Sequence, residues 1–404
     1  MNIGMLLKNK FPPDIRVEKE ARSLIEGGHS VFLLAEGQTN QAELEQVDQI
    51  TVKRFKPLRA QQPLAHKLNE LWFYLSFNER LWQRQTQQFI DEFGIEALHV
   101  HDLPLAKAAL KAAQAKGIVC ILDLHENFPQ ALQVHHSSRP QLRWLTNNLN
   151  RWTAYERWAI HQADHVIVVV DEAKARLMND YQLNEHNITV IMNVEDADYF
   201  TTMAKDEAIT TAYQEDFVVS YIGGYGLHRG LETAIRALTH LKHIPNLKLV
   251  LVGVRKAGRQ HLMSLANQAG VSKQVDLVDW QPFDKVPSFL EASDVSLVPH
   301  VKNAHTDSTI PHKLFHGMLM QKPLIVSNCR PLKRIVEETQ SGLVFESENP
   351  EDLADKINHM HQNPQLREQW GCNGNIAASG QYNWRHEGLK LAQLYDHISA
   401  SRQH

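Results

Sequence analysis

Cysteine is scarce in this sequence: Cys120, Cys329 and Cys372 are the three present in 404 residues. Their number is odd and they share no metal-ligand or redox spacing, which excludes a disulfide framework and points to reduced, packed thiols. Long apolar runs are missing too. The opening MNIGMLLKNKF holds one short hydrophobic stretch that ends at Lys8, too short for a signal segment or a membrane span, so a cytoplasmic location is expected. Basic charge is not in excess. A net charge of −4 argues against a nucleic-acid binder. The 23 histidines form no H-E-x-x-H pattern or similar cluster, so no metal site is expected. The first strand-to-helix loop lacks G-x-G-x-x-G, which disfavours a tightly bound dinucleotide, and no cofactor is expected.

What is present suits a large globular α/β protein. At 43% hydrophobic and 22% charged, 404 residues suffice for two domains with full cores. Residues 2–7 read as a buried strand. Val17, Ala21, Leu24 and Ile25 then mark one helical face, Gly27-Gly28 stops that helix, and Val31 to Ala35 is a second strand. The loop KNKFPPDIR lies at the carboxyl end of the first strand, where open α/β sheets bind ligands. Asp14 and Arg16 in it could hold a substrate, or could be a helix cap and a surface ion pair. Strands Ala97 to His101 and Val119 to Leu124 end in polar clusters, His101-Asp102 and Asp123-Leu124-His125-Glu126-Asn127. Such ends fall on one rim of a parallel sheet, where His125 stands out as a candidate for chemistry; a histidine tied to a loop carbonyl is the alternative.

Two segments combine basic and aromatic residues. Lys53 to Arg84 holds seven Lys or Arg against two Glu, and Arg139 to Arg157 repeats the pairs Arg143-Trp144, Arg151-Trp152 and Arg157-Trp158. They are compatible with an anionic membrane surface, and equally with aromatics packed inside and arginines solvated. After a β-branched strand, Ala163 to Val170, and another from Ile188 to Met192, the polar stretch Glu195 to Asp206 reads as a linker. A second β-α series restarts at Phe217. Its first loop, Gly223-Gly224-Tyr225-Gly226-Leu227-His228-Arg229-Gly230, permits close backbone approach, and Arg229 offers a fork-shaped cation for phosphate. Further on, Thr306, Asp307, Ser308 and Thr309 are helix-entry residues, Pro311 suits a first turn, and Lys313 follows. The segment predicts either a polar anion cup at a helix N-terminus or an ordinary capped helix.

The order of these segments resembles the retaining glycosyltransferases of family 4, carried by FPPDIRVEKEARSLIEGGHSV, LDLHENFP, ADHVIVVVDEAKARLM, YIGGYGLHRGLETAIRAL and IPHKLFHGMLMQKPLIVSNCRPLKRIVEETQSGLVF. The resemblance implies the GT-B fold, two Rossmann-like domains with parallel sheets facing a central cleft. Residues 1–195 would form the acceptor-side domain, rejoined by a C-terminal helix over 383–404, and residues 196–382 the nucleotide-sugar domain. It implies metal-independent transfer from a nucleotide-diphosphate sugar, with His125 at the family's active-site histidine and Arg229 at its donor-phosphate lysine. Gly224 stands where the family has a partner arginine. Ser308 and His316 stand where it has two glutamates, and Asp307 is the nearest carboxylate that could replace the first. The implied roles are thus catalysis for His125 and Asp307, donor binding for Gly224, Arg229, Ser308, Thr309, Lys313 and His316, and acceptor binding for Asp14, Arg16, His101 and Asp102.

The expected activity is sugar transfer to a glycan or polyprenyl-linked acceptor in cell-surface polysaccharide biosynthesis, by a protein peripheral on the inner face of the cell membrane. A non-catalytic sugar-nucleotide or glycan binding protein on the same fold is the alternative that loss of the glutamate pair raises. An epimerase or hydrolase would need a further carboxylate set that the sequence does not display.

Overall fold

The computed structural model describes all residues except 39, 58–62, 135–142 and 402–404, and omits the side chains of 63, 64, 143, 257 and 401. The chain divides into two compact units, Met1–Met192 with Arg385–His404, and Asn193–Trp384.

The first unit is built on an eight-stranded sheet, β1 (Asn2–Leu7), β2 (Ser30–Glu36), β3 (Leu44–Val47), β4 (Ile50–Phe55), β5 (Ala97–His101), β6 (Val119–Leu124), β7 (His165–Val168) and β8 (Ile188–Val190), in the order β3-β4-β2-β1-β5-β6-β7-β8. All neighbours are parallel except β3, an antiparallel edge strand that the sequence pattern does not reveal because its residues are mostly exposed. The near-continuous apolar runs of β1 and β6 follow from burial on both faces, and β5 is equally buried although it carries His99 and His101. The strand order reverses between β1 and β5, so the loops after these two strands flank a topological switch point, the usual ligand crevice of such sheets.

The C-terminal helix Trp384–Ser401 packs into this first unit. Glu387 accepts the Met192 backbone N–H at 2.7 Å, and the buried Tyr395 reaches His99 on β5 at 2.9 Å. This matches the expected return of the chain end to its first domain.

The second unit has an all-parallel six-stranded sheet: β9 (Phe217–Ile222), β10 (Leu247–Val252), β11 (Val275–Val278), β12 (Val295–Val298), β13 (Leu324–Ser327) and β14 (Gly342–Phe345), in the order β11-β10-β9-β12-β13-β14. Here the order reverses between β9 and β12. Helices Leu231–Ala237 and Pro350–Gln362 cover the sheet with Leu231, Ile235, Leu353 and Ile357, all inaccessible to solvent or nearly so. The Pro350 helix is capped by Asn349, whose side chain accepts the N–H groups of Glu351 and Asp352.

One expected linker is not a linker. Glu195 belongs to the second unit, is 1% exposed and bridges to Asn383, and Ala197–Thr201 is helical. A polar composition misleads here because the Glu195 carboxylate is satisfied by partners far away in sequence.

Candidate functional site

In the second unit, the switch point places the loop after β9 beside the start of the loop after β12. Arg229 ends a short 3-10 turn over Leu227–Arg229, and its guanidinium donates from Nη1 to His300 Nε2 at 3.1 Å. A guanidinium has no lone pair to offer, so His300 must accept, which fixes it as the neutral Nδ1–H tautomer. Burial, then the charges of Arg229 and Lys313, hold His300 well below its ordinary pKa, in agreement with that tautomer. His300 is 3% exposed and had no distinguishing sequence signal beyond being the second residue after an apolar strand.

Lys313 completes this site. Its Nζ donates to the Tyr221 hydroxyl at 2.6 Å and lies 3.9 Å from the centre of that ring, while the hydroxyl donates to the Gly224 carbonyl at 2.9 Å. Burial pushes the Tyr221 pKa up to about 12, keeping the hydroxyl protonated. The lysine stem touches solvent but its amino end is enclosed, and that enclosure, with Arg229 nearby, pushes the Lys313 pKa well below the ordinary lysine value. Among the described residues, neither Arg229 nor Lys313 has a carboxylate partner.

The glycine this arrangement requires is Gly223 rather than Gly224. A Cβ at Gly223, where φ is +150°, would lie 2.5 Å from Lys313 Nζ, whereas one at Gly224 would meet nothing within 4 Å. Gly230 is equally constrained, since a Cβ there would approach the Pro299 carbonyl to 1.8 Å.

The polar segment before Lys313 differs from its expected form. Thr306–Ser308 is a separate 3-10 turn, and the helix begins only at Lys313 and ends at Leu319. Its seven residues are under two turns, so side-chain cations, not a long helix dipole, dominate the local field. Ser308 spends its hydroxyl on the Ala304 carbonyl, and Thr309 is in extended backbone. Asp307 is engaged with the next helix. It accepts the Arg330 backbone N–H at 2.8 Å and pairs with the Arg330 guanidinium, so it secures the start of helix Arg330–Thr339. His316 is also committed: its Nε2 lies 3.2 Å from Glu195 Oε2, and its ring stacks on Phe200 at 4.5 Å. An aromatic and carboxylate enclosure, invisible in local sequence, turns this expected donor contact into a packing residue.

In the first unit, the ends of β5 and β6 and the loop after β1 bring Asp14, Arg16, His101, Asp102 and His125 together. Arg16 grips Asp14 through two hydrogen bonds of 3.3 and 3.2 Å. Burial opposes the charge on Asp14, but Arg16 outweighs it, with His101 and His125 assisting, and holds the carboxyl below its usual range. The buried Arg54 anchors this loop from behind by donating twice to the Phe11 carbonyl.

His125 Nε2 donates to Asp123 Oδ2 at 2.7 Å. Burial works against its protonation, but Asp123 prevails and raises the His125 pKa to about 9. Asp123 also accepts from His101 and His99, at 3.2 and 3.3 Å, and Glu20 Oε2 lies 3.2 Å from His99 Nε2. Burial lowers His99 and the two carboxylates more than reverse it, again to about 9. His101 is 1% exposed and faces Asp123 within this cluster. Asp102 has φ +67° and ψ 153°, a region nearly reserved for glycine, which stores backbone strain on the order of 1–3 kcal/mol at this rim. Glu20 and Asp123 escape recognition in the sequence because neither sits in a spaced motif with its partners.

Two Rossmann-like units, one carrying paired cations and the other a buried histidine and carboxylate cluster, define a glycosyltransferase architecture. Residues 15–199 match the family described as Glycosyltransferase Family 4, and residues 202–376 match Glycosyl transferases group 1. The chain belongs to the family 4 type of glycosyltransferase, and its fold is GT-B. Alpha-D-kanosaminyltransferase from Streptomyces kanamyceticus is 22% identical over 284 residues, covering 67% of this chain and 71% of that protein. Sucrose-phosphate synthase from Thermosynechococcus elongatus superimposes with a TM-score of 0.79 at 17% identity, covering 99% of both chains. The Anabaena protein HepE, solved in complex with UDP-glucose, gives 0.71 at 16% identity, covering 98% of this chain and 99% of that one.

Proposed function

We propose that this glycosyltransferase moves a sugar from a nucleoside-diphosphate sugar to a glycan or lipid-linked acceptor with retention of configuration, in the making of a cell-surface polysaccharide. The observation that carries the reading is the pair Arg229 and Lys313, two cations without a carboxylate partner among the described residues, at the switch point of the second sheet. A departing diphosphate gains negative charge as the sugar leaves, and fixed cations stabilise that charge most where water is excluded. The likeness to a protein solved with UDP-glucose supports a nucleotide sugar as the donor. A thermal-shift screen of nucleotide sugars tests this directly. A cognate donor raises the unfolding midpoint by mass action, and a flat response to every nucleoside diphosphate and its sugars would remove the proposal.

Lys313 adds a proton signature. It is faced by Arg229, Tyr221 and His300, and the first of these lowers its pKa together with burial. A bound diphosphate reverses the sign of that field, so the pKa rises on binding and the complex holds more protons than the free components. Donor affinity therefore falls as pH rises between the free and bound pKa values of Lys313. Calorimetry in buffers of different ionisation enthalpy should show proton uptake in the wild type and none in Lys313→Met. Equal uptake in both proteins would contradict the assignment.

A membrane-facing acceptor has its own support. Helix Pro63–Ser76 exposes Leu68, Leu71, Trp72 and Leu75, and Trp144 is 68% exposed. Lys67 is exposed beside them, and Arg80 stacks over Trp72 at 4.0 Å. The other aromatics of these segments, Phe73, Trp82 and Trp152, are core residues, and Arg59 and Arg139 lie outside the described residues. Among the described residues no helix is long and apolar enough to cross a membrane. We expect flotation with phosphatidylglycerol vesicles at low salt and release at high salt, because the basic contribution is screened while the apolar one is not. Protein that stays at the bottom of the gradient at low salt would refute membrane attachment.

A further inference from the structure

We infer that Glu20, His99, His101 and Asp123 form a closed binding site for one divalent metal ion of the zinc class, with a structural role behind His125. The four donors come from three elements. Glu20 projects from helix Ile15–Glu26, His99 and His101 occupy alternate positions of β5 and so share a face, and Asp123 stands beside His101 on β6 in parallel register. All four donor atoms lie within 4.8 Å of one another, and all four residues are buried.

The distances have the spacing a metal cage requires. His99 Nε2 is 3.2 Å from Glu20 Oε2 and 3.3 Å from Asp123 Oδ2, and His101 Nδ1 is 3.2 Å from Asp123 Oδ2 and 3.8 Å from Glu20 Oε2. Nitrogen and oxygen ligands held about 2.0–2.1 Å from a tetrahedral zinc are separated by roughly 3.3 Å, the edge of that tetrahedron.

Glu20 supplies an independent observation. Its Oε2 is buried, points into the cluster and has no hydrogen-bond partner, although His99 Nε2 is 3.2 Å away. Burying a carboxylate oxygen without a hydrogen bond is costly, and a metal ion within the cluster would compensate it together with the His99 ring. The surroundings resemble an outer ligand shell as well. The Tyr395 hydroxyl lies 2.9 Å from His99 Nδ1 and orients that ring, and His101 is held from its Nδ1 side alone, its Nε2 having no partner. Four protein ligands leave no open coordination position, so the ion would not enter the transfer step. It would fix Asp123, whose Oδ2 also orients His125.

The test is metal analysis of the intact protein, purified without chelator and with any affinity tag removed. We expect about one zinc per chain. Chelated protein titrated with Co2+ should develop the intense visible bands of tetrahedral coordination, which surface histidines with water ligands do not give, and Zn2+ should abolish them. Glu20→Gln should lower Zn2+ affinity by at least about tenfold while the circular dichroism spectrum stays native. Absence of tetrahedral Co2+ bands in the wild-type protein would overturn the site without reference to any variant. Undiminished Zn2+ affinity in folded Glu20→Gln would do the same. None of these readings depends on donor binding, so they stand or fall apart from the proposed activity.

Discussion

Replacing Arg229 by alanine is expected to weaken nucleoside-diphosphate binding by roughly 10- to 150-fold, the equivalent of one or two charge-assisted hydrogen bonds of about 1.5–3 kcal/mol in total. The loss has two parts. The guanidinium is a fixed cation aimed by His300, and its removal also leaves His300 Nε2, buried beside β12, without its donor. Arg229→Lys should recover only part of the affinity, because an ammonium cannot bond His300 and a phosphate in the same planar fork. His300→Gln offers a finer probe, since a side-chain carbonyl can still accept from Arg229 while the ring is lost. Calorimetric affinity equal to wild type in Arg229→Ala would remove this residue from the donor site, whatever happens to the transfer rate.

The second large effect belongs to the first unit. His125→Ala is expected to lower the transfer rate by about 100-fold or more, within the range ordinary for removal of a positioned acid, base or hydrogen-bonding group. The dissociation constant for the nucleoside diphosphate alone should stay within about threefold of wild type, because the cations proposed to hold it belong to the other unit. A merely structural histidine would give a different pattern, a fall in unfolding midpoint with the rate per folded molecule retained. Asp123→Asn separates the two cases further. It keeps the size of the side chain but removes the charge that three imidazoles share, so it should depress the rate through the orientation of His125. A fully active His125→Ala protein would end its catalytic assignment.

The loss of the family's two glutamates is clarified by what replaced them. Ser308 is tied to its own turn and Asp307 to the start of the next helix. His316 is held by Glu195, stacks on Phe200 and meets Phe283 edge-on. On the proposed reading, donor binding in this segment would fall to Lys313, positioned by Tyr221 and Gly223, and selectivity among sugars would depend on contacts other than a glutamate pair.

What the sequence determined by itself was whatever its local physics controls. The apolar runs of β1, β6 and β9 mark strands buried on both faces, the spacing Val17, Ala21, Leu24 marks a helix face, and the Asn349-Pro350 cap marks a helix start. Arg229 and His125 stand out as candidates in the sequence because each follows a strand at the carboxyl rim of its sheet. The tertiary structure alone decided which polar groups meet. His99 finds Tyr395 at a separation of 296 residues, and Glu195 finds His316 at 121. Such partners are chosen by where parallel strands and covering helices bring side chains into one dry space. There a charge is tolerated only if another group compensates it, and no local pattern carries that constraint.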